Sequence, residues 1–211
     1  MLNILFINGL GATSNSPAGA FFESLNTDEV KFFHPTFSIS PRKALQEVNQ
    51  FIHDNQIEMV IGISMGGFYA LVCDCDVGIV INPAMTPISD ISKNFKSGEP
   101  LSVDGKSYFT LDESFYLELH EILLNQSDDP NNWFKSFPKH KSFAGIFGKE
   151  DELFRHGGDF KYISDDITYV EGMGHLLSSL GRDYLITIMR RMTKKHFSTD
   201  ISSCQCIDLK V

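Results

Sequence analysis

The chain has 211 residues, 42% of them apolar and 21% charged, which is enough for one substantial core and close to the composition of an ordered globular domain. Its formal net charge is −9, and no run of basic residues offers a track for phosphates. Nucleic-acid binding and attraction to anionic membranes are both disfavoured.

The first apolar run, Leu2–Ile7, is continuous and β-prone, and it reads as a strand buried on both faces. No cation precedes it, the first being Lys31. No segment approaches membrane-spanning length, so the expected location is cytoplasmic, with no secretory signal. Asn8-Gly9-Leu10-Gly11-Ala12 follows as a glycine-rich turn, and Ser16-Pro17 opens a helix through about Leu25, with serine as N-cap and proline in the first turn. Val30–His34 is a second strand. Ser40-Pro41 repeats the helix-start signal, and Leu45, Val48, Phe51 and Ile52 form that helix's apolar stripe. Met59–Ile63 predicts a third strand with a helix immediately after it, and Gly78–Ile81 a fourth, ending at Asn82-Pro83-Ala84.

The stretch from about Thr86 to Pro138 breaks the alternation. It holds a polar, turn-rich portion around Lys96–Lys106 and then a helical pattern from about Asp112 to Leu124. It predicts a small cap or lid inserted over the sheet's C-terminal edge. Strands at Lys141–Phe147 and Ile167–Val170 and a closing helix over Leu177–Met192, with cations near its C-terminus, complete the series. Alternating strands and helices imply an α/β domain over residues 1–196, a mostly parallel sheet with helices on both faces. The cap occupies about 86–138, and a tail over 197–211 shows no helical pattern. The four cysteines, Cys73, Cys75, Cys204 and Cys206, form two C-x-C pairs that lack structural-zinc spacing, so they read as free thiols and no metal site is expected.

Gly62-Ile63-Ser64-Met65-Gly66 fits G-x-S-x-G. A strand enters it and a helix leaves it, the setting of the nucleophile elbow of α/β-hydrolases. The residues two before and two after the serine approach closely in that turn, so both must be glycine. Ser64 is the candidate nucleophile. A serine hydroxyl needs a base, and the base an orienting acid, in the chain order Ser, Asp or Glu, His. His175 lies in Glu171-Gly172-Met173-Gly174-His175, just past the last strand; His140, His156 and His196 lack such a setting. Asp151 is chosen as acid, with Glu150 and Glu152 as competitors in the same loop. Backbone N–H groups of Met65 and Leu10 are the expected oxyanion donors. Phe109, Phe115, Tyr116 and Leu119 are candidates either for an acyl pocket or for packing the cap onto the sheet.

Three segments resemble the small bacterial YqiA-type esterase family. Gly62–Ala70 is similar to that family's G-S-S-L-G-G-Y-Y-A stretch, and Val80–Ala84 to its V-x-N-P-A segment; Gly105-Lys106-Ser107-Tyr108 is similar to its G-x-x-Y portion of the cap. The resemblance runs from Leu2 to about Met192. It implies a compact α/β-hydrolase that cleaves carboxylic esters, of short acyl chain, without a cofactor, with Ser64, Asp151 and His175 as triad. One departure is Asn8-Gly9 where the family has His-Gly. The substrate read this way is a small-molecule ester or thioester. Two other readings stay open on sequence alone: a non-catalytic binding or regulatory protein on a hydrolase scaffold, and an acyltransferase using the same triad. The oligomeric state is not legible.

Overall fold

In the computed structural model, residues 1–102 and 108–197 are described. The strands are β1 (Leu2–Ile7), β2 (Val30–Phe33), β3 (Met59–Ile63), β4 (Val77–Ile81), β5 (Ser142–Gly148) and β6 (Ile167–Val170). They form one sheet in the order β2-β1-β3-β4-β5-β6, and every pairing is parallel. The helices are α1 (Pro17–Glu23), α2 (Pro41–Asp54), α3 (Met65–Val72), α4 (Pro87–Asn94), α5 (Glu113–Gln126), α6 (Gly157–Phe160) and α7 (Ser179–Phe197), with a short 3-10 turn at Trp133–Ser136.

The strands alternate sides with the period of two that a pleated sheet imposes. Leu5, Ile7, Val60, Val80 and Phe143 point into a core shared with α2, α3 and α5. The intervening strand residues face the other way: Leu2, Ile4, Phe6, Ile61, Ile79 and Ile146 meet α1 and α7 on the opposite face. Both faces are therefore covered, which explains why the central strands β3 and β4 read as unbroken apolar runs.

Both predicted serine caps form. Ser16 Oγ accepts from the Gly19 N–H at 3.0 Å, and Ser40 Oγ accepts from the Lys43 N–H at 3.4 Å. The closing helix starts two residues later than the sequence pattern suggested and runs on to Phe197, so the first residue of the expected tail is helical. Cys204 and Cys206 lie outside the described residues, as do Gly105, Lys106 and Ser107; Tyr108 is exposed. Cys73 and Cys75 are buried free thiols, and burial pushes the Cys73 thiol up to about 12.

Between β4 and β5 the structure adds α4 to the expected helix, its start marked by Thr86-Pro87, a proline-in-first-turn signal like those of α1 and α2. The second helix, α5, packs along α2. Glu118 of α5 accepts from Ser40 Oγ at 2.6 Å and from the Arg42 N–H at 3.1 Å, and Arg42 pairs with Glu121. Trp133 returns the segment to the sheet: its indole N–H donates to the Met85 carbonyl at 2.7 Å, and its ring meets Phe68 of α3 edge-on.

The strand order turns back on itself between β1 and β3. In open parallel sheets the crevice beyond the carboxyl ends of such a pair is where ligands bind. The loop after β1 and the turn after β3 meet there.

Candidate active site

Ser64 stands between β3 and α3 with φ 56° and ψ −123°, a left-handed backbone that costs a non-glycine residue energy and persists only where surroundings enforce it. The enforcement is steric and local. A Cβ on Gly62 would sit 2.2 Å from the Gly66 carbonyl oxygen, and a Cβ on Gly66 would sit 2.1 Å from that of Ile7. The chain can make this turn, and lay it against the end of β1, only with glycine at both places. Two hydrogen bonds pin the serine backbone to the next strand's exit: its N–H donates to the Ile81 carbonyl at 3.0 Å, and its carbonyl accepts from the Ala84 N–H at 3.0 Å.

Asp151 lies three residues past β5 and is almost fully buried. Its Oδ1 accepts from the Leu153 N–H at 2.8 Å and the Phe154 N–H at 3.0 Å. Its Oδ2 lies 3.0 Å from Nδ1 of His175, in the loop after β6. Burial pushes this carboxyl up, but the hydrogen bond from His175, the two backbone donors and the imidazole charge together outweigh burial and hold it below its ordinary value. Glu150 and Glu152 are exposed. The Phe154 ring stands edge-on to the imidazole, with centroids 4.7 Å apart, so His175 is wedged as well as hydrogen-bonded. With Nδ1 held by Asp151, Nε2 is the nitrogen available for proton transfer. Among the described residues, Ser64 Oγ and Nε2 are not hydrogen-bonded to each other. Catalytic hydrogen bonds of this kind commonly tighten only with substrate in place.

The β1 loop lies directly on the serine: a Cβ on Gly9 would be 3.4 Å from Ser64 Cβ. Among the described residues, the N–H groups of Leu10 and Met65 have no hydrogen-bond partner. The Met65 N–H opens α3, where backbone donors are unsatisfied and the helix dipole is positive. Asn8, at the position where the resembling family has histidine, accepts from the hydroxyl of the α1 cap, Ser16, at 2.9 Å, and so ties this loop to the start of α1.

The four cap candidates part company. Phe115 and Leu119 are buried in the larger core cluster, which also holds residues of α2 and α3, and Phe109 and Tyr116 are half-buried at its margin. Packing α5 onto the helical layer is the contact the first two make.

Two links went unread in the sequence. His156 bridges Asp90 of α4 and Asp159 of α6, at 2.8 and 3.0 Å; Asp90 is buried. In the sequence Asn82 marks the end of the fourth strand and opens the Asn-Pro-Ala segment, and its buried side chain reaches the His175 loop. A carboxylate inside an apolar-spaced helix start was the one sequence sign of the first; the second had none. Among the described residues no cluster of His, Cys, Asp and Glu could hold a metal ion, and no helix is long and apolar enough to cross a membrane.

Sheet order, elbow and the late acid and histidine loops together define the α/β-hydrolase fold, and solved structures of that fold match over most of the chain. Est1E from Butyrivibrio proteoclasticus, solved with ferulic acid bound, is similar with a TM-score of 0.66 at 13% identity, over 94% of this chain and 90% of its own. MGS-MChE2, an α/β hydrolase from the metagenome of sediments of the Mar Chica lagoon, Morocco, gives a TM-score of 0.57 at 17% identity, over 92% and 91% of the two chains. At such identities the likeness is one of fold. The chain itself belongs to the uncharacterised protein family UPF0227, whose model matches residues 18–156. This is the YqiA-type family resembled by the elbow and the Asn-Pro-Ala segment. Ser64 and Asp151 lie inside the matched range and His175 beyond it. No curated protein matches the chain.

Proposed function

We propose that the protein is a serine hydrolase that cleaves short-acyl carboxylic esters or thioesters through an acyl-enzyme. The observation that carries this reading is the buried Asp151 carboxylate 3.0 Å from Nδ1 of His175, an imidazole on a loop at the same sheet edge as a serine in a strained turn. Two unpartnered backbone donors beside that serine complete the chemistry.

Ser64 Oγ attacks the carbonyl carbon while Nε2 of His175 takes its proton. The carbonyl oxygen, now an anion, accepts from the N–H groups of Leu10 and Met65; losing one such donor typically costs about 3 kcal/mol. As the tetrahedral centre collapses, the bond to the leaving alcohol or thiol breaks, and that group takes the proton back from the imidazolium. Water then attacks the acyl-serine ester, again giving a proton to His175. The proton returns to Ser64 Oγ as the carboxylic acid departs. Asp151 stays ionised throughout, holding the tautomer and stabilising the imidazolium.

The test treats the purified chain with a fluorophosphonate probe and assays it on nitrophenyl acetate and butyrate. Labelling and hydrolysis that both vanish in Ser64→Ala support the reading. No labelling of folded wild-type protein overturns it in favour of a non-catalytic scaffold. Adding an alcohol or amine and finding acyl product in place of free acid would turn the hydrolase into a transferase.

A further inference from the structure

We propose that Asn82 is a positioning residue: its side-chain amide fixes the height and orientation of His175 relative to the strand edge that holds Ser64. This rests on the triad reading above and deepens it.

Asn82 follows β4 directly and is almost fully buried. Its φ is 42°, a left-handed conformation that asparagine tolerates better than most residues. The side-chain Nδ2 donates to the Gly174 carbonyl at 2.9 Å and to the His175 carbonyl at 2.8 Å. Its Oδ1 accepts from the Gly148 N–H, the last residue of β5, at 2.8 Å. Its own backbone N–H donates to the Ile146 carbonyl at 2.9 Å. Turning the amide over would set its oxygen against two carbonyl oxygens and its nitrogen against an N–H, so only this orientation satisfies the site.

The amide is therefore a three-way link. It joins the end of β4 to the end of β5, which leads into the Asp151 loop, and to the loop that carries the base. The neighbouring backbone shows how tight that junction is: a Cβ on Gly148 would sit 2.1 Å from the Met173 carbonyl oxygen. The Glu150 N–H donates to the same carbonyl at 3.1 Å. Those contacts hold the early part of the His175 loop. Asn82 reaches further, to the carbonyl of His175 itself, and the next residue, Leu176, is 75% exposed. On its other side the same four-residue segment holds the nucleophile, through Ile81 O and Ala84 N on the Ser64 backbone. Serine and histidine are thus referenced to one short piece of chain, the serine through its backbone and the histidine through one amide.

The chemistry is particular to asparagine. Two donors and an acceptor are needed on a short, uncharged, planar group. Aspartate has the shape and tolerates the backbone, but as a carboxylate it would oppose two carbonyl oxygens. Glycine keeps the positive φ and removes the link. A shift of about 1 Å in a catalytic group can cost on the order of 100-fold in rate.

The experiment compares wild type, Asn82→Asp and Asn82→Gly on nitrophenyl acetate, with thermal melts and with proton NMR of the His175 Nδ1–H in the bond to Asp151. We expect kcat to fall by about 10- to 100-fold in both variants, KM to change less than about twofold, and the Nδ1–H resonance to move or broaden while the fold persists. Folded variants with unchanged kcat and unchanged resonance overturn the proposal. So does unfolding of both, which would assign Asn82 to the fold alone. If wild type is not labelled by fluorophosphonate, the hydrolase reading fails separately. The resonance still decides the positioning claim: displacement in the variants upholds it, and an unmoved signal overturns it.

Discussion

His156 Nε2 lies 2.8 Å from the carboxylate of Asp90, and this contact ties α4, the first helix of the insertion, to the loop that carries Asp151. The other ring nitrogen lies 3.0 Å from Asp159. A neutral imidazole can donate to only one of them; the imidazolium donates to both. Burial alone would lower the pKa of His156, but the hydrogen bonds and charges of the two aspartates outweigh it and raise the value. A group whose pKa is raised on folding stabilises the fold fully below its unfolded pKa, and that stabilisation is lost as pH rises through the folded one. The clamp is therefore strongest below about pH 6.5, the ordinary histidine value. His156→Gln is expected to lower the melting temperature by several degrees at pH 5.5 to 6, and by progressively less as the pH is raised above the ordinary histidine value. Melts across that range check it, and a pH-independent difference would contradict it.

The acid loop makes a sharper prediction about which of three neighbouring carboxylates works. Asp151 is buried against His175, whereas Glu150 and Glu152 face solvent. Asp151→Asn keeps the shape but inverts the hydrogen-bond polarity, favouring the wrong tautomer. A fall in kcat of about 1,000-fold or more is expected. Glu150→Gln and Glu152→Gln should stay within about threefold of wild type. Steady-state kinetics on nitrophenyl acetate separate these outcomes, and equal losses in all three would remove Asp151 from its place.

The strands and most helix starts were legible because their signals are local. Apolar runs such as Leu2–Ile7 need no knowledge of neighbours, and serine followed by proline marks Ser16 and Ser40 by the chemistry of unsatisfied N–H groups. The elbow was legible for the same reason, since two glycines flanking a serine encode a close approach within five residues. Asp151 could be chosen but not fixed, because Glu150 and Glu152 differ from it only in what the fold buries. The long-range links of Asn82 and His156 were not legible, although Asp159 stands only three residues from His156. Their partners lie 92 and 93 residues away for Asn82 and 66 for His156, and no periodicity encodes a contact of that range. Phe115 and Leu119 showed an apolar helix stripe, but the stripe does not say whether substrate or α2 covers it.

The elbow's sterics lead to a paired prediction. Gly66→Ala would bring a methyl to 2.1 Å from the Ile7 carbonyl oxygen, a backbone atom at the end of β1, so the turn and β1 would have to separate. A loss of at least about 3 kcal/mol is expected, at the upper end for a single substitution. Gly158, in α6, has nothing within 4 Å of its Cβ position, and Gly158→Ala should stabilise by about 0.5 to 1 kcal/mol through the unfolded chain's lost freedom. Urea midpoints of the two variants, at an unchanged denaturant slope, give both numbers. A tolerated Gly66→Ala would mean that the turn is looser than its contacts imply.

Tyr69 offers the last test, because its hydroxyl sits where a hydroxyl is hard to explain. It lies on α3, five residues after Ser64, and among the described residues its buried oxygen has no hydrogen-bond partner. Burial, with the nearby Glu118 charge adding to it, pushes the phenol well above its ordinary pKa, so it remains a neutral donor at any working pH. Beside it a cavity of about 30 Å³ runs under the β1 loop, between Asn8–Ala12 and Phe37. An unpaired buried hydroxyl costs about 1 to 3 kcal/mol. Tyr69→Phe removes that cost while keeping the ring in the core, so the variant should gain about 1 kcal/mol in stability, a rise of roughly 2 to 4 °C in melting temperature for a chain of this size. Ester hydrolysis should be unchanged, since the hydroxyl makes no hydrogen bond to Ser64, Asp151 or His175. A lower melting temperature would show that solvent in the cavity satisfies the phenol. A loss of kcat at unchanged stability would instead give the hydroxyl a part in holding the β1 loop, whose Leu10 N–H the proposed mechanism assigns to the oxyanion.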